Sequence, residues 1–195
     1  MNFRIGTRAS ELALVQAGMV RDQILRLGAG EVEIVKIQTT GDKRQGTSQA
    51  SIKDKQIWIE ELESSLLSEK LDLAIHSGKD VPAKVNPATV LSSVLERESP
   101  FDVFVGKLIA GFDRRVRFAE LNEGAVVGTA SLRRAAALRR IKPDLEIVPH
   151  RGNVPTRIDK LDKSSSLSGI ILASAGLHRL GLRDLEAELL SANQI

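Results

Sequence analysis

The sequence predicts an α/β protein built as two small lobes, and three observations carry that reading. Short β-branched or apolar runs alternate with stretches of helical period along the chain, the pattern of strands linked through helices. The alternation breaks once, at Ser99-Pro100, and then resumes. The 195 residues, 42% hydrophobic and 27% charged, have the length and balance of a folded globular chain with one large core or two small ones. The expected boundary lies near 96–101, giving a first lobe over 1–96 and a second over 97–195.

Residues 2–6 read as a short strand entering a turn at Thr7-Arg8-Ala9. Ser10 is a good N-cap for a helix whose apolar stripe is Leu12, Val15, Met19, Ile24 and Leu27, stopped by Gly28 and Gly30. Residues 32–38 are β-branched and form a strand that runs into the loop Thr39-Thr40-Gly41-Asp42. Residues 43–55 are polar and aperiodic, which predicts a long mobile loop able to act as a lid. Helical spacing returns over 57–68 through Leu62 and Leu66, and 71–75 is an apolar strand. It ends in His76-Ser77-Gly78-Lys79-Asp80-Val81-Pro82.

Residues 89–95 read as a further strand before the break. In the second lobe, strands are expected at 102–106, 125–128, 147–149 and 169–173. Helices are expected at 131–141, 154–161 and, last, 183–190.

Composition excludes several functions. The chain has no cysteine, hence no disulfide, thiolate metal site or cysteine nucleophile within it. Three histidines without HxxxH spacing argue against a zinc enzyme. The net charge is +3, but aromatics are 3%, too few for base-stacking platforms, and no nucleic-acid-reading motif occurs. No apolar run is long enough to span a membrane, and the N-terminus lacks secretory-signal features, so a cytoplasmic location is expected.

In open α/β sheets ligands bind beyond the carboxyl ends of strands, and five polar loops fall there. They are Gly6-Thr7-Arg8, Thr40-Gly41-Asp42, His76 to Asp80, Gly128-Thr129-Ala130-Ser131-Leu132-Arg133-Arg134 and Arg151-Gly152-Asn153. The fourth opens a helix, where backbone N–H groups favour an anion and arginine forks suit carboxylate or phosphate. Read alone, it serves equally as a capped helix with solvated arginines. Asp80, read alone, is either a turn residue paired with Lys79 or a carboxylate that handles protons and offsets a developing cation. His76 reads as a structural hydrogen-bonder and Trp58 as packing, and His150 and His178 carry no assigned role.

Taken together and in order, these motifs resemble the porphobilinogen deaminase (hydroxymethylbilane synthase) family. Ile5-Gly6-Thr7-Arg8-Ala9-Ser10, Thr40-Gly41-Asp42, Asp72 through Pro82, Gly128 through Arg134, Arg151-Gly152-Asn153-Val154, Lys160-Leu161-Asp162 and Ala175 through Gly181 carry the resemblance. It implies a transferase of tetrapyrrole biosynthesis that condenses four porphobilinogen units into hydroxymethylbilane with release of ammonia. It implies lobes with mixed sheets like type II periplasmic-binding-protein domains. It also implies a dipyrromethane cofactor, which the family holds through a cysteine thioether. By the same resemblance Asp80 is the catalytic carboxylate. Lys55, Ser77, Lys79, Asp80, Thr129, Ser131, Arg133, Arg134, Arg151 and Gly152 are implied to hold the cofactor. Arg8, Trp58, Arg157 and Arg179 are implied to hold substrate.

The sequence departs from the family in having no cysteine and in stopping at Ile195, before the family's third domain and the segment that returns to the first lobe. An exposed sheet edge is therefore expected in the first lobe, open to association, although family members are usually monomeric. The competing reading is a non-catalytic two-lobe binder of acidic small molecules. Porphobilinogen is the expected small-molecule partner, with neither nucleic acid nor membrane.

Overall fold

The computed structural model describes residues 1–37, 52–82, 84–92, 95–185 and 188–190. The chain forms two compact units, Met1–Glu96 and Arg97–Ile195, each of which builds its own sheet.

In the first unit, β1 (Asn2–Arg8) lies between β2 (Glu31–Ile37) and β3 (Leu73–Ala74), parallel to both. β1 runs two residues further than expected because Thr7 and Arg8 still pair with Lys36 and Ile37. β3 is shorter than the expected strand, yet the backbone N–H groups of Asp72 and Ile75 still donate to Arg4 and Gly6 carbonyls, each at 2.9 Å. The ladder therefore extends past the two formally paired residues.

Helix α1 (Glu11–Arg26) starts where Ser10 predicts, the Ser10 hydroxyl accepting the Ala13 N–H at 3.4 Å. Its buried face differs from the expected stripe. Gln16, Ala17 and Val20 are buried, whereas Met19 is 40% and Leu27 79% exposed. Small Ala17 lets the helix approach Ile5 of β1 closely, and that contact selects the face over the larger residues. Helix α2 (Ile52–Leu67) begins earlier than expected, so residues 52–55 are helical rather than loop. Lys53-Asp54-Lys55-Gln56 contains no Gly or Pro and includes good helix formers, so polarity alone misled the reading. The rest of that expected loop, and the Thr40-Gly41-Asp42 motif, lie outside the described residues.

The strand expected at 89–95 does not form among the described residues. Asn86 instead closes a turn, its side-chain oxygen accepting the Ala88 N–H and its carbonyl the Thr89 N–H, both at 2.9 Å. Val90 and Leu91 follow it 93% and 66% exposed, with no ladder partner among the described residues.

The second unit has a five-stranded mixed sheet in the order β6-β5-β7-β4-β8. It comprises β4 (Asp102–Gly106), β5 (Val126–Gly128), β6 (Glu146–Val148), β7 (Gly169–Ala173) and β8 (Glu188–Leu190). β5, β6 and β7 are parallel, and β4 is antiparallel to both its neighbours. Helices α3 (Leu132–Ile141), α4 (Val154–Lys163) and α5 (Ser174–Arg179) complete it. Ile158 and Leu161 of α4 pack with Val103, Val105, Ile170 and Leu172, while Leu138 of α3 packs with Phe104, Val127 and Ile171. Alternation along β4 and β7 thus feeds two cores, one on each face.

The final helix expected over 183–190 is instead a 3-10 turn, Arg183–Leu185, followed by β8. A helix of two turns is marginal in itself. Pairing with β4 buries Leu190 to 2% exposure beside Phe104, and that gain decides the conformation. α5, directly after β7, was not anticipated, because six residues give too little periodicity to read.

A Cβ built on Gly106 would lie 1.8 Å from the Val116 carbonyl oxygen, a backbone atom. Gly106→Ala should therefore destabilise the second unit by about 3 kcal/mol, at the upper end of overpacking costs. Gly18→Ala, on α1 with nothing within 4 Å, should stabilise the first unit by about 1 kcal/mol through helix propensity. Urea midpoints of the two variants check both signs.

Candidate functional site

The first unit presents its functional candidates where β1 and β3 end. Thr7 is fully buried and its hydroxyl donates to the Ala13 carbonyl at 3.2 Å, which fixes the exit of the chain through Arg8 into α1. After β3, the chain makes a 3-10 turn, Gly78–Asp80, closed by the Asp80 N–H donating to the Ser77 carbonyl at 2.9 Å. The Ser77 hydroxyl does not cap this turn. It donates instead to Gln16 Oε1 at 2.8 Å, tying the turn to the buried face of α1. Asp80 is half-buried and Lys79 exposed. His76 lies within the electrostatic reach of Asp80, Glu63 and Arg8. Burial pushes its pKa down, the two carboxylates oppose that, and Arg8 adds to it. Arg8 and Asp80 therefore share one neighbourhood, as the loop argument expects. Lys55 and Trp58 lie on α2, in a stretch whose side chains lie outside the described residues.

The second unit gathers the arginines. Ser131 caps α3, its hydroxyl accepting the Arg134 N–H at 3.4 Å, while the Ser131 N–H donates to the Thr129 hydroxyl at 3.2 Å. Thr129 is 4% exposed and its N–H donates to the Val148 carbonyl at 2.9 Å. This loop can pass so close to β6 because position 128 is glycine: a Cβ there would meet the His150 Cβ at 2.8 Å.

From the first turn of α3, Arg133 and Arg134 each donate one Nη2 to Asp102, at 2.6 Å to Oδ2 and Oδ1 respectively. Asp102 is 3% exposed. Burial alone would raise its pKa, but the Arg134 and Arg133 guanidiniums outweigh that and hold it below the ordinary carboxylate range. Arg134 Nη1 and Arg157 Nη2 both donate to the Ile171 carbonyl, at 3.2 and 2.8 Å. Two like charges therefore share one acceptor, and Arg157 has no ion-pair partner among the described residues. Burial first, and the neighbouring Arg134 second, pull its pKa down to about 10, which still leaves it cationic at neutral pH.

The Nε atoms of Arg134, Arg157 and Arg179 are buried without a hydrogen-bond partner among the described residues. Buried donors of this kind normally find an acceptor. The exposed guanidinium of the cluster is that of Arg133, at 64%, and forked cationic donors match carboxylate oxygens. Arg151 is exposed, and its carbonyl accepts from Lys160 Nζ at 3.2 Å; Gly152 follows at φ 130°. Thr129, Ser131, Arg133, Arg134 and Arg157 are thus brought together around β5, β7 and α3. Arg179 lies at the end of α5, and Arg151 and Gly152 lie in the loop before α4.

Sequence reasoning missed three supporting groups. Asp102 opens a strand that is otherwise apolar, and a charge in that position signals a buried pair. Gln16 falls on a helix face at the spacing of Ala13 and Val20, which is the signal that it points inward. His178 bridges Glu98 Oε1 and the Ser174 hydroxyl, each at 3.2 Å. That contact order is the one found in hydrolase triads, but Ser174 is fully buried, so no substrate reaches it and the trio ties 97–101 to α5.

His150 is 7% exposed, and its Nε2 bonds the Arg157 carbonyl at 2.9 Å. Burial depresses its pKa most; the Arg157 carbonyl bond opposes this, and the Arg157 and Lys160 charges add to it. A depressed folded value contributes stability that is present above the unfolded value of about 6.5 and is lost as pH falls through the folded one. The urea midpoint of the second unit should therefore fall on acidification through pH ~6. His150→Gln, which keeps a donor for Arg157, should flatten that part of the profile, and an unchanged profile would remove His150 from the pH response.

The family model "Porphobilinogen deaminase, dipyromethane cofactor binding domain" matches residues 3–195. Porphobilinogen deaminase of Trichlorobacter lovleyi is 44% identical over 192 residues, covering 98% of this chain and 59% of that protein. That of Geobacter sulfurreducens is 45% identical over 189 residues, covering 96% and 57%. That of Syntrophomonas wolfei is 42% identical over 195 residues, covering 100% and 61%. The chain thus spans about three-fifths of these curated relatives. Among solved structures, the methionine binding protein MetQ overlays with TM-score 0.45 and 12% identity, covering 93% of this chain and 74% of that one. No cysteine occurs in the chain, so no thioether to a cofactor can form on these 195 residues. No described helix is long and apolar enough to cross a membrane. With the family model matched over nearly its whole length and whole-chain identity above two-fifths, the chain belongs to the porphobilinogen deaminase family.

Proposed function

We propose that this protein acts as a porphobilinogen deaminase, a cytoplasmic transferase that joins four porphobilinogen units head to tail into hydroxymethylbilane and releases ammonia at each addition. The observation that carries the reading is the cluster of guanidiniums that Arg133, Arg134 and Arg157 form around Asp102 and the Ile171 carbonyl, with Arg133 64% exposed. Porphobilinogen and its oligomers carry acetate and propionate groups on every ring, and these are carboxylates that such a cluster suits. A dipyrromethane presents the same carboxylates, so the donor set fits it as well. When bound, that cofactor supplies the pyrrole terminus to which the next ring is joined.

In this reading Lys55, Ser77, Lys79, Thr129, Ser131, Arg133, Arg134, Arg151 and Gly152 are the cofactor-binding residues. Arg8, Trp58, Arg157 and Arg179 hold the incoming substrate. Asp80 is the catalytic group. Its carboxylate sits half-buried on a turn fixed to α1 through Ser77 and Gln16. There it can accept a pyrrole N–H and offset the positive charge that develops as the amine leaves, an electrostatic role that works best in a partly desolvated place. Porphobilinogen is its small-molecule partner; family members are usually monomeric, and an exposed sheet edge in the first unit leaves association open. The alternative of a non-catalytic binder is disfavoured, because the relatives at 42–45% identity are porphobilinogen deaminases.

The test is porphobilinogen consumption by the purified protein, read with its intact mass and its colour with Ehrlich's reagent. Asp80→Asn should lower turnover at least ~100-fold, the lower end of what a positioned acid–base or charge-stabilising group contributes. Its urea midpoint, measured alongside, separates lost turnover from lost folding. Wild-type protein that binds porphobilinogen but never consumes it would replace the enzyme reading with the binder.

A further inference from the structure

The adjacent arginines of α3 do not occupy equivalent positions. Arg134 is 13% exposed at its side chain and is held at both Nη atoms, by Asp102 Oδ1 and by the Ile171 carbonyl. Arg133 is 64% exposed and makes one contact to Asp102, through Nη2 at 2.6 Å. One buried carboxylate therefore grips two guanidiniums, each by a single nitrogen, and it does so from below. The remaining donors of Arg133 are left on the solvent side.

We propose that Asp102 is a positioning residue that divides the pair: it locks Arg134 into the wall of the second unit and holds out Arg133 as the receptor for a ligand carboxylate. The inference rests on the proposed function for the identity of the ligand, but not for the division itself. Asp102 touches no ligand in this scheme, and its effect passes through Arg133.

The direction of the effect follows from comparing two opposing terms. Removing the Asp102 charge leaves the site more cationic, which alone would strengthen anion binding. A carboxylate on Arg133 lies within a Debye length of Asp102, about 8 Å, so salt screens that gain only in part. Against it stands the loss of geometry. An exposed ion pair between freely moving side chains contributes almost nothing. A guanidinium fixed so that two parallel donors face a carboxylate belongs to the strong class of charge-assisted bonds. Each guanidinium uses its own Asp102 oxygen, and Asp102→Asn turns one of the two into an NH2 donor that faces a guanidinium without bonding it. Arg134 keeps the remaining oxygen, because it is also bound at Ile171, and Arg133 is released.

The experiment measures binding of a dipyrromethane that bears acetate and propionate groups, by titration calorimetry at 0.15 M salt, with arginine side-chain NMR on the same samples. In wild-type protein the guanidinium protons of Arg133 and Arg134 should both show hindered rotation. In Asp102→Asn only those of Arg133 should become averaged, and Kd should rise about tenfold, equivalent to about 1.4 kcal/mol. Asp102→Glu should restore part of the affinity, which a purely structural role for the residue would not do. Unchanged or tighter binding by a folded Asp102→Asn overturns the proposal. If that variant does not fold, the wild-type spectrum decides, since freely rotating Arg133 there overturns it equally. If wild-type protein shows both arginines held yet binds no dipyrromethane, the proposed function fails while the division of the pair stands.

Discussion

A carboxylate that opens a buried strand is the constraint around which the second unit is organised. β4 is buried at each of its five residues, and the first of them is Asp102. A charge there is tolerated only when paired and hydrogen-bonded on its free lone pairs, since an ion left alone in such a place costs several kcal/mol. The pair comes from α3, whose first turn must then sit over the end of β4. That requirement fixes the Thr129–Ser131 loop, and through the Thr129–Val148 hydrogen bond it fixes β6 as well. Arg134 then reaches Ile171 of β7, where Arg157 of α4 also arrives. One buried acid thus sets the register between both sheet-flanking helices and the candidate anion site.

The first unit reaches a comparable result without a buried ion. Its counterpart to Asp102 is the neutral pair Gln16 and Ser77, at 2.8 Å. A neutral hydrogen bond contributes ~1 kcal/mol and carries little desolvation cost compared with an ion pair. The Ser77–Gln16 bond thus holds the turn that carries Lys79 and Asp80 against α1 through neutral groups.

How much was legible in the sequence depends on how local each determinant is. Ser10 and Ser131 announce their helices because capping is a contact three residues long. The strands at 102–106 and 169–173 are legible at their observed limits, because the apolar runs 103–105 and 170–173 lie between Pro, Ser and Gly. Residues 183–190 failed for the opposite reason: their conformation is decided by pairing with a strand more than eighty residues earlier, which no local pattern encodes. The buried face of α1 failed similarly, because Ala17 against Ile5 is a question of fit rather than of hydrophobicity. For the site, loop positions were legible from the alternation of strand and helix, and the arginines from their chemistry. The anchors Asp102 and Gln16 were not sought, although an acid heading an apolar strand was visible.

The buried guanidinium nitrogens connect stability to ligand in a way the fold alone does not explain. A buried donor without an acceptor costs about 1–3 kcal/mol, against a net stability of only about 5–15 kcal/mol for a typical domain. The second unit carries this arrangement on Arg134, Arg157 and Arg179. Lysine would avoid most of it, since a compact ammonium on a flexible stem turns toward water, but it would not present a planar fork. Arginine at these positions therefore favours recognition geometry over stability. A carboxylate paired with Arg157 raises its lowered pKa toward its ordinary value. Affinity and stability are then one linked quantity, because whatever binds only the folded form stabilises it in proportion to its occupancy. The cluster that would hold an acidic pyrrole is, by the same physics, the part of the unit that gains most from holding it.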